Sequence, residues 1–108
     1  MTRSRLPNRR PSRTIRVQWG NHRLHVTIGF CPTTAAPKEL FFSDGMKSGS
    51  DLRHTVEDAC VLVSLLLQRG ATIEEIGKSM GTVDAMGQVS PASIIGAIVN
   101  ALAAEVAR

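Results

Sequence analysis

Residues 14–19 alternate strictly between polar and apolar, placing Ile15, Val17 and Trp19 on one side of an extended chain. The alternation resumes after Gly20-Asn21 as Leu24, Val26, Ile28 and Phe30. A two-residue loop led by glycine predicts a type II′ hairpin. With that loop Trp19 pairs with His22, Val17 with Leu24 and Ile15 with Val26, so the apolar positions of both strands share one face. Arg16, Gln18, Arg23, His25 and Thr27 occupy the other. Pro32 and Pro37 bound a turn-rich connection, and Glu39-Leu40-Phe41-Phe42-Ser43 reads as a third strand. Phe41 falls on its open side, a surface that a second copy could cover as a homodimer.

From Asp51 the period lengthens. Leu52, Val56, Ala59, Val63 and Leu66 recur at three and four residues, with Cys60 and Leu67 widening the stripe. Ser50 or Asp51 caps the start of this helix, and Arg69-Gly70 ends it. The near-continuous apolar run of its second half predicts a helix covered on more than one side. Thr72-Ile73-Glu74-Glu75 is a capping box for a short helix ending near Met80-Gly81. Residues 82–89 read as a loop, and Ser90-Pro91 as the cap and first position of a last helix. That helix carries Ile94, Ile95, Ile98, Val99, Leu102 and Val106. The order predicts an α+β fold of two layers: a three-stranded antiparallel sheet, made of a hairpin plus one strand, followed by three helices packed on one face.

A chain of 108 residues with 43% hydrophobic and 20% charged residues is sized and composed for one packed domain. The net charge of +4 is unevenly placed. Arg3, Arg5, Arg9, Arg10 and Arg13 fall in the first thirteen residues with no acid among them. The other eight Lys and Arg meet nine Asp and Glu, leaving residues 14–108 at −1. Residues 1–13, with Pro7 and Pro11 and little to bury, read as a disordered tail, and residues 14–108 as the domain. The tail's arginines are candidates for sequence-independent contact with nucleic-acid phosphates. No aromatic residue interleaves them, so base stacking is not indicated. No apolar run is long enough for a membrane span and no apolar segment follows the arginines as in a secretory signal, so a cytoplasmic protein without membrane contact is expected.

The candidate chemistry gathers at residues 44–51. An apolar strand turns through Asp44-Gly45-Met46-Lys47-Ser48-Gly49 into a helix opening at Ser50-Asp51. Such a junction directs backbone N–H groups and the positive end of the helix dipole at one spot, where an anion is stabilised. Lys47 adds a full charge, Ser48 and Ser50 add hydroxyl donors, and Gly49, Ser50 and Asp51 add amides. The order of residues is not that of a P-loop. No catalytic group and no metal ligand set is indicated. His22, His25 and His54 match no ligand spacing with the cysteines, and Glu57-Asp58 diverge by about 100° around a helix. Cys60 lies on the core stripe as a small hydrophobe, whereas Cys31, in a loop before Pro32, is the more reactive thiol.

The block from Leu40 to Gln68 resembles the TSCPD domain, found at the C-terminal end of adenosylcobalamin-dependent ribonucleotide reductases and as small free-standing proteins. The resemblance rests on Leu40-Phe41-Phe42, on Gly45-Met46-Lys47-Ser48-Gly49-Ser50-Asp51 and on Asp58-Ala59-Cys60 through Gln68. Gly70, Ile73-Glu74-Glu75-Ile76 and the preceding Val26-Thr27-Ile28-Gly29-Phe30 agree with it. The stretch that names the family, Thr-Ser-Cys-Pro-Asp, here reads Val89-Ser90-Pro91-Ala92-Ser93, so no thiol or metal role of that stretch carries over. A full reductase also needs a barrel, a radical cysteine, a reducible cysteine pair and a cobalamin site, for which 108 residues with two cysteines have no room. The resemblance therefore implies a binding or regulatory module for a phosphate-bearing ligand, nucleotide or nucleic-acid backbone, with no cofactor of its own and no turnover alone. Two alternatives stand beside it. One is an accessory component of a ribonucleoside-diphosphate reductase, acting only with a partner subunit. The other is a nucleic-acid-binding protein that works through its basic tail.

Overall fold

The computed structural model describes residues 11–46 and 49–107. Strands β1 (Ser12–Trp19), β2 (His22–Phe30) and β3 (Pro37–Asp44) form an antiparallel sheet in that order. The β1–β2 register is the one the alternation predicts, with Trp19 opposite His22, Val17 opposite Leu24 and Ile15 opposite Val26. Gly20 takes φ +59 while Asn21 stays out of the left-handed region, as a type II′ turn requires. β1 begins at Ser12, ahead of the expected Thr14.

Helices α1 (Asp51–Gln68) and α2 (Ile73–Ser79) follow. A second hairpin then intervenes, β4 (Thr82–Ala85) with β5 (Gln88–Pro91), before α3 (Ile94–Val106). The core lies between the sheet's inner face and the helices, where Leu24, Val26, Ile28, Ile98, Val99 and Leu102 are wholly buried. Thr72 accepts the Glu75 N–H and Glu75 accepts the Thr72 N–H, completing the capping box at α2. The Thr72 N–H and the Thr72 hydroxyl, both donating to the Glu75 carboxylate, hold that carboxyl below its ordinary pKa.

Three expectations need correction. Residues 82–89 are not an irregular loop, because Met86 and Gly87 both take positive φ (+54 and +83), the backbone of a type I′ turn that pairs β4 with β5. Ser90-Pro91 does not open the last helix. Pro91 ends β5 and places its carbonyl under the Trp19 indole N–H at 3.1 Å, while Ser93 caps α3 by accepting the Gly96 N–H. The apolar second half of α1 is covered on one side only: Cys60, Val63 and Leu67 are buried, but Val61, Leu62 and Leu66 are exposed. Leu52, placed on the buried stripe by its spacing, is also exposed.

The cause is how α1 meets the sheet. Its Ser64 hydroxyl accepts the Leu40 N–H at 2.8 Å, and its Gln68 amide donates to the Lys38 carbonyl at 2.9 Å. Lys38 returns a bond to the Leu67 carbonyl at 3.2 Å. Four helical residues rise about 6 Å and two strand residues about 6.7 Å, so Ser64 and Gln68 keep step with Leu40 and Lys38. The helix thus also closes the outward-facing edge of β3.

Candidate functional site

Where β3 ends, Asp44 pairs with His25 across a register shift, and Gly45 turns the chain at φ +124. A Cβ on Gly45 would stand 2.4 Å from the Arg23 carbonyl oxygen, so only glycine lets the loop cross β2 this closely. Met46 packs partly into the core. Lys47 and Ser48 lie outside the described residues, and so no geometry is assigned to them. Gly49 re-enters at φ +76, and Ser50 is extended at φ −72, ψ 151. The Ser50 hydroxyl accepts the Arg53 N–H at 3.1 Å and its carbonyl accepts the His54 N–H at 3.1 Å, the first bond of the helical ladder. Ser50 is therefore the cap, and Asp51 is the first-turn acid. The amides of Gly49, Asp51 and Leu52 precede that ladder, at the positive end of an 18-residue helix.

Arg53 is the residue that sequence reasoning missed. Its guanidinium donates to the Met46 carbonyl at 3.4 Å, lies 5.1 Å over the Phe42 ring and approaches Glu57 at 3.8 Å. It ties the start of the loop to the first turn of α1 and brings a fixed cation beside it. The signal was available: a basic residue three places after a serine cap lies back over the turn preceding it. Beside the same turn an apolar cleft of about 220 Å³ opens, lined in part by Trp19, Leu52, Thr55, Ala59 and Ile95. Trp19 also stacks on His22, with ring centroids 6.2 Å apart.

Of the tail arginines, Arg3, Arg5, Arg9 and Arg10 lie outside the described residues. Arg13 stands in β1, where it pairs with Glu105 of α3 at 3.3 Å and covers the Phe30 ring at 5.5 Å. The loop and Arg13 are thus fixed by different elements, β3 with α1 in one case and β1 with α3 in the other. Both cysteines are free thiols with opposite characters. Burial, with Glu57 nearby, pushes the Cys60 thiol up to about 11, an inert core group. Hydrogen bonds from the Thr34 hydroxyl and the Thr34 and Thr33 amides bring Cys31 down to about 7, making it the reactive one. Among the described residues no group of three or more His, Cys, Asp or Glu could hold a metal ion, and no helix is long and apolar enough to cross a membrane.

No curated protein and no solved structure gives a match to this chain. The sequence profile of the TSCPD domain does match, over residues 2–106, which takes in every strand and helix described above. A family shared along nearly the whole chain accounts for the strand–loop–helix block as part of a common fold. The chain belongs to the TSCPD domain family, and through it is related to ribonucleotide reductase.

Proposed function

We propose that this protein is a non-catalytic binding module that holds a phosphate-bearing ligand at residues 44–51. The observation that carries the reading is the junction itself. A glycine at φ +76 and a serine cap set the amides of Gly49, Asp51 and Leu52 ahead of the ladder of α1, with Arg53 alongside. Lys47, Ser48 and Ser50 supply the charge and hydroxyls that complete the site in this proposal. The neighbouring cleft favours a nucleotide over bare phosphate, because its apolar lining suits a planar base while the loop takes the phosphates. Asp51 sets a limit on charge: its carboxylate sits at the same helix start and competes with a bound anion for the amides.

The family relation supports a second reading, in which the module acts as an accessory to a ribonucleotide reductase in deoxyribonucleotide synthesis, with a partner subunit supplying the chemistry. Contact between nucleic acid and the arginines of the tail is a third. In that case removing residues 1–10 flattens the salt dependence of duplex binding, by about 0.9 in log–log slope for each phosphate that is no longer neutralised.

Calorimetric titration with inorganic phosphate, ATP and dATP tests the first reading. Binding by the intact chain, weakened about tenfold in Lys47→Ala with an unchanged melting temperature, is the expected result. Equal binding by the variant, or heat signals absent for all three ligands, contradicts it. A reductase assay on the chain alone should give no deoxyribonucleotide.

A further inference from the structure

The outer face of α1 carries an order of side chains that the fold leaves uncovered. Val61 is 51% exposed, Leu62 62% and Leu66 48%, with Leu65 partly buried between them. Single exposed leucines on a surface are ordinary, but a run of four aliphatics on one helix side is a contiguous patch. Asp58 stands a turn before this run and Arg69 a turn after it, both exposed and both on the same side of the helix.

The six positions are symmetric about the point between Val63 and Ser64. Asp58 mirrors Arg69, Val61 mirrors Leu66, and Leu62 mirrors Leu65. We infer that α1 pairs antiparallel with α1 of a second copy of this chain, forming a two-fold dimer across this face. A two-fold axis through that point sets aliphatic against aliphatic and acid against base. Self-complementarity of this kind is what an isologous interface requires. A parallel pairing would oppose Asp58 to Asp58 and Arg69 to Arg69, so the charges select the antiparallel arrangement and its register as well. Asp58 and Arg69, the residue that caps the end of α1, are eleven residues apart, about 16 Å along the axis, and leucines at the crossing allow axes about 8–10 Å apart. The face lies opposite the buried Val56, Cys60, Val63 and Leu67 of α1, so pairing leaves the bonds to Leu40 and Lys38 in place.

The Phe41 side of the sheet offers a second copy less. Phe41 is 45% exposed but stands beside Thr27, which is hydrogen-bonded to Thr14, and the exposed Ser43. One aromatic among hydroxyls has no mirrored partner.

Sedimentation equilibrium over a concentration series tests the pairing with four variants of the full chain. Leu62→Asp buries a charge at the crossing and should weaken dimerisation at least about a hundredfold, while leaving the melting profile of the monomer unchanged because Leu62 is exposed. Asp58→Arg and Arg69→Asp each oppose like charges and should each weaken it about tenfold. The double variant Asp58→Arg/Arg69→Asp restores opposite charges and should return to within about twofold of the wild type. A wild-type chain that stays monomeric at all concentrations overturns the proposal. So does a dimer indifferent to Leu62→Asp, or a double variant weaker than either single one.

Discussion

Gly45→Ala should destabilise the domain by roughly 3–5 kcal/mol, lowering its melting temperature by roughly 10–25 °C. Two costs combine. The backbone at φ +124 is one that a side-chain-bearing residue rarely adopts, and the new Cβ meets backbone, with the Arg23 carbonyl oxygen at 2.4 Å and Leu24 Cα at 2.6 Å. Neither atom can swing aside, because both belong to β2, the central strand of the sheet. Gly49→Ala is the matched comparison. It too has positive φ, at +76, but nothing lies within 4 Å of its added Cβ, so about 1 kcal/mol of backbone strain is all it should cost. Equal losses from the two substitutions, read by thermal or urea unfolding, would show that the crossing of β2 is not what makes Gly45 necessary.

Ser64→Ala should cost about 1–3 kcal/mol, a large effect for removing one oxygen. Ser64 is 4% exposed, and its hydroxyl accepts from the Leu40 N–H while its proton is shared between the Leu40 carbonyl at 3.2 Å and the Cys60 carbonyl at 2.9 Å. Alanine leaves the Leu40 N–H at a closed sheet edge without its acceptor. Amide exchange at Leu40 should accelerate by more than at Thr27, an interior β2 position. The comparison variant Ser43→Ala loses an exposed bond to the His25 carbonyl and should change stability by less than about 0.5 kcal/mol. A Ser64→Ala protein as stable as the wild type would mean that α1 is held by its aliphatic contacts alone.

These two residues also mark where sequence reading succeeds and where it stops. The first hairpin is legible down to its register, because strict alternation and a Gly-Asn loop agree on one pairing. The caps at Ser50 and Thr72 are legible because a hydroxyl three residues ahead of an N–H is a local pattern. The second hairpin is not, since methionine leads its turn and Thr82, Asp84, Gln88 and Ser90 interrupt any apolar face. The buried side of α1 is read one notch askew for a tertiary reason. A helix set against a strand edge buries hydrogen-bonding residues, Ser64 and Gln68, where periodicity looks for aliphatics, and so frees Leu62 and Leu66 to face outward. At the candidate site the cap and the glycines follow from composition. The spacing of Arg53 to the cap places it over the preceding turn, but its link to the Met46 carbonyl does not follow, because it depends on how far the loop folds back.

The functional reading stands or falls on whether the junction of β3 and α1 takes a phosphate-bearing anion. Following backbone amide resonances of the full chain by NMR during titration with dATP decides it. Saturable shifts should concentrate at Gly49, Ser50, Asp51 and Leu52, with smaller ones at the cleft residues Thr55 and Ile95, and in Lys47→Ala all of them should need about ten times more dATP to saturate. Shifts centred on the tail and β1, or uniform drift without saturation, would contradict this and move the binding surface away from the loop.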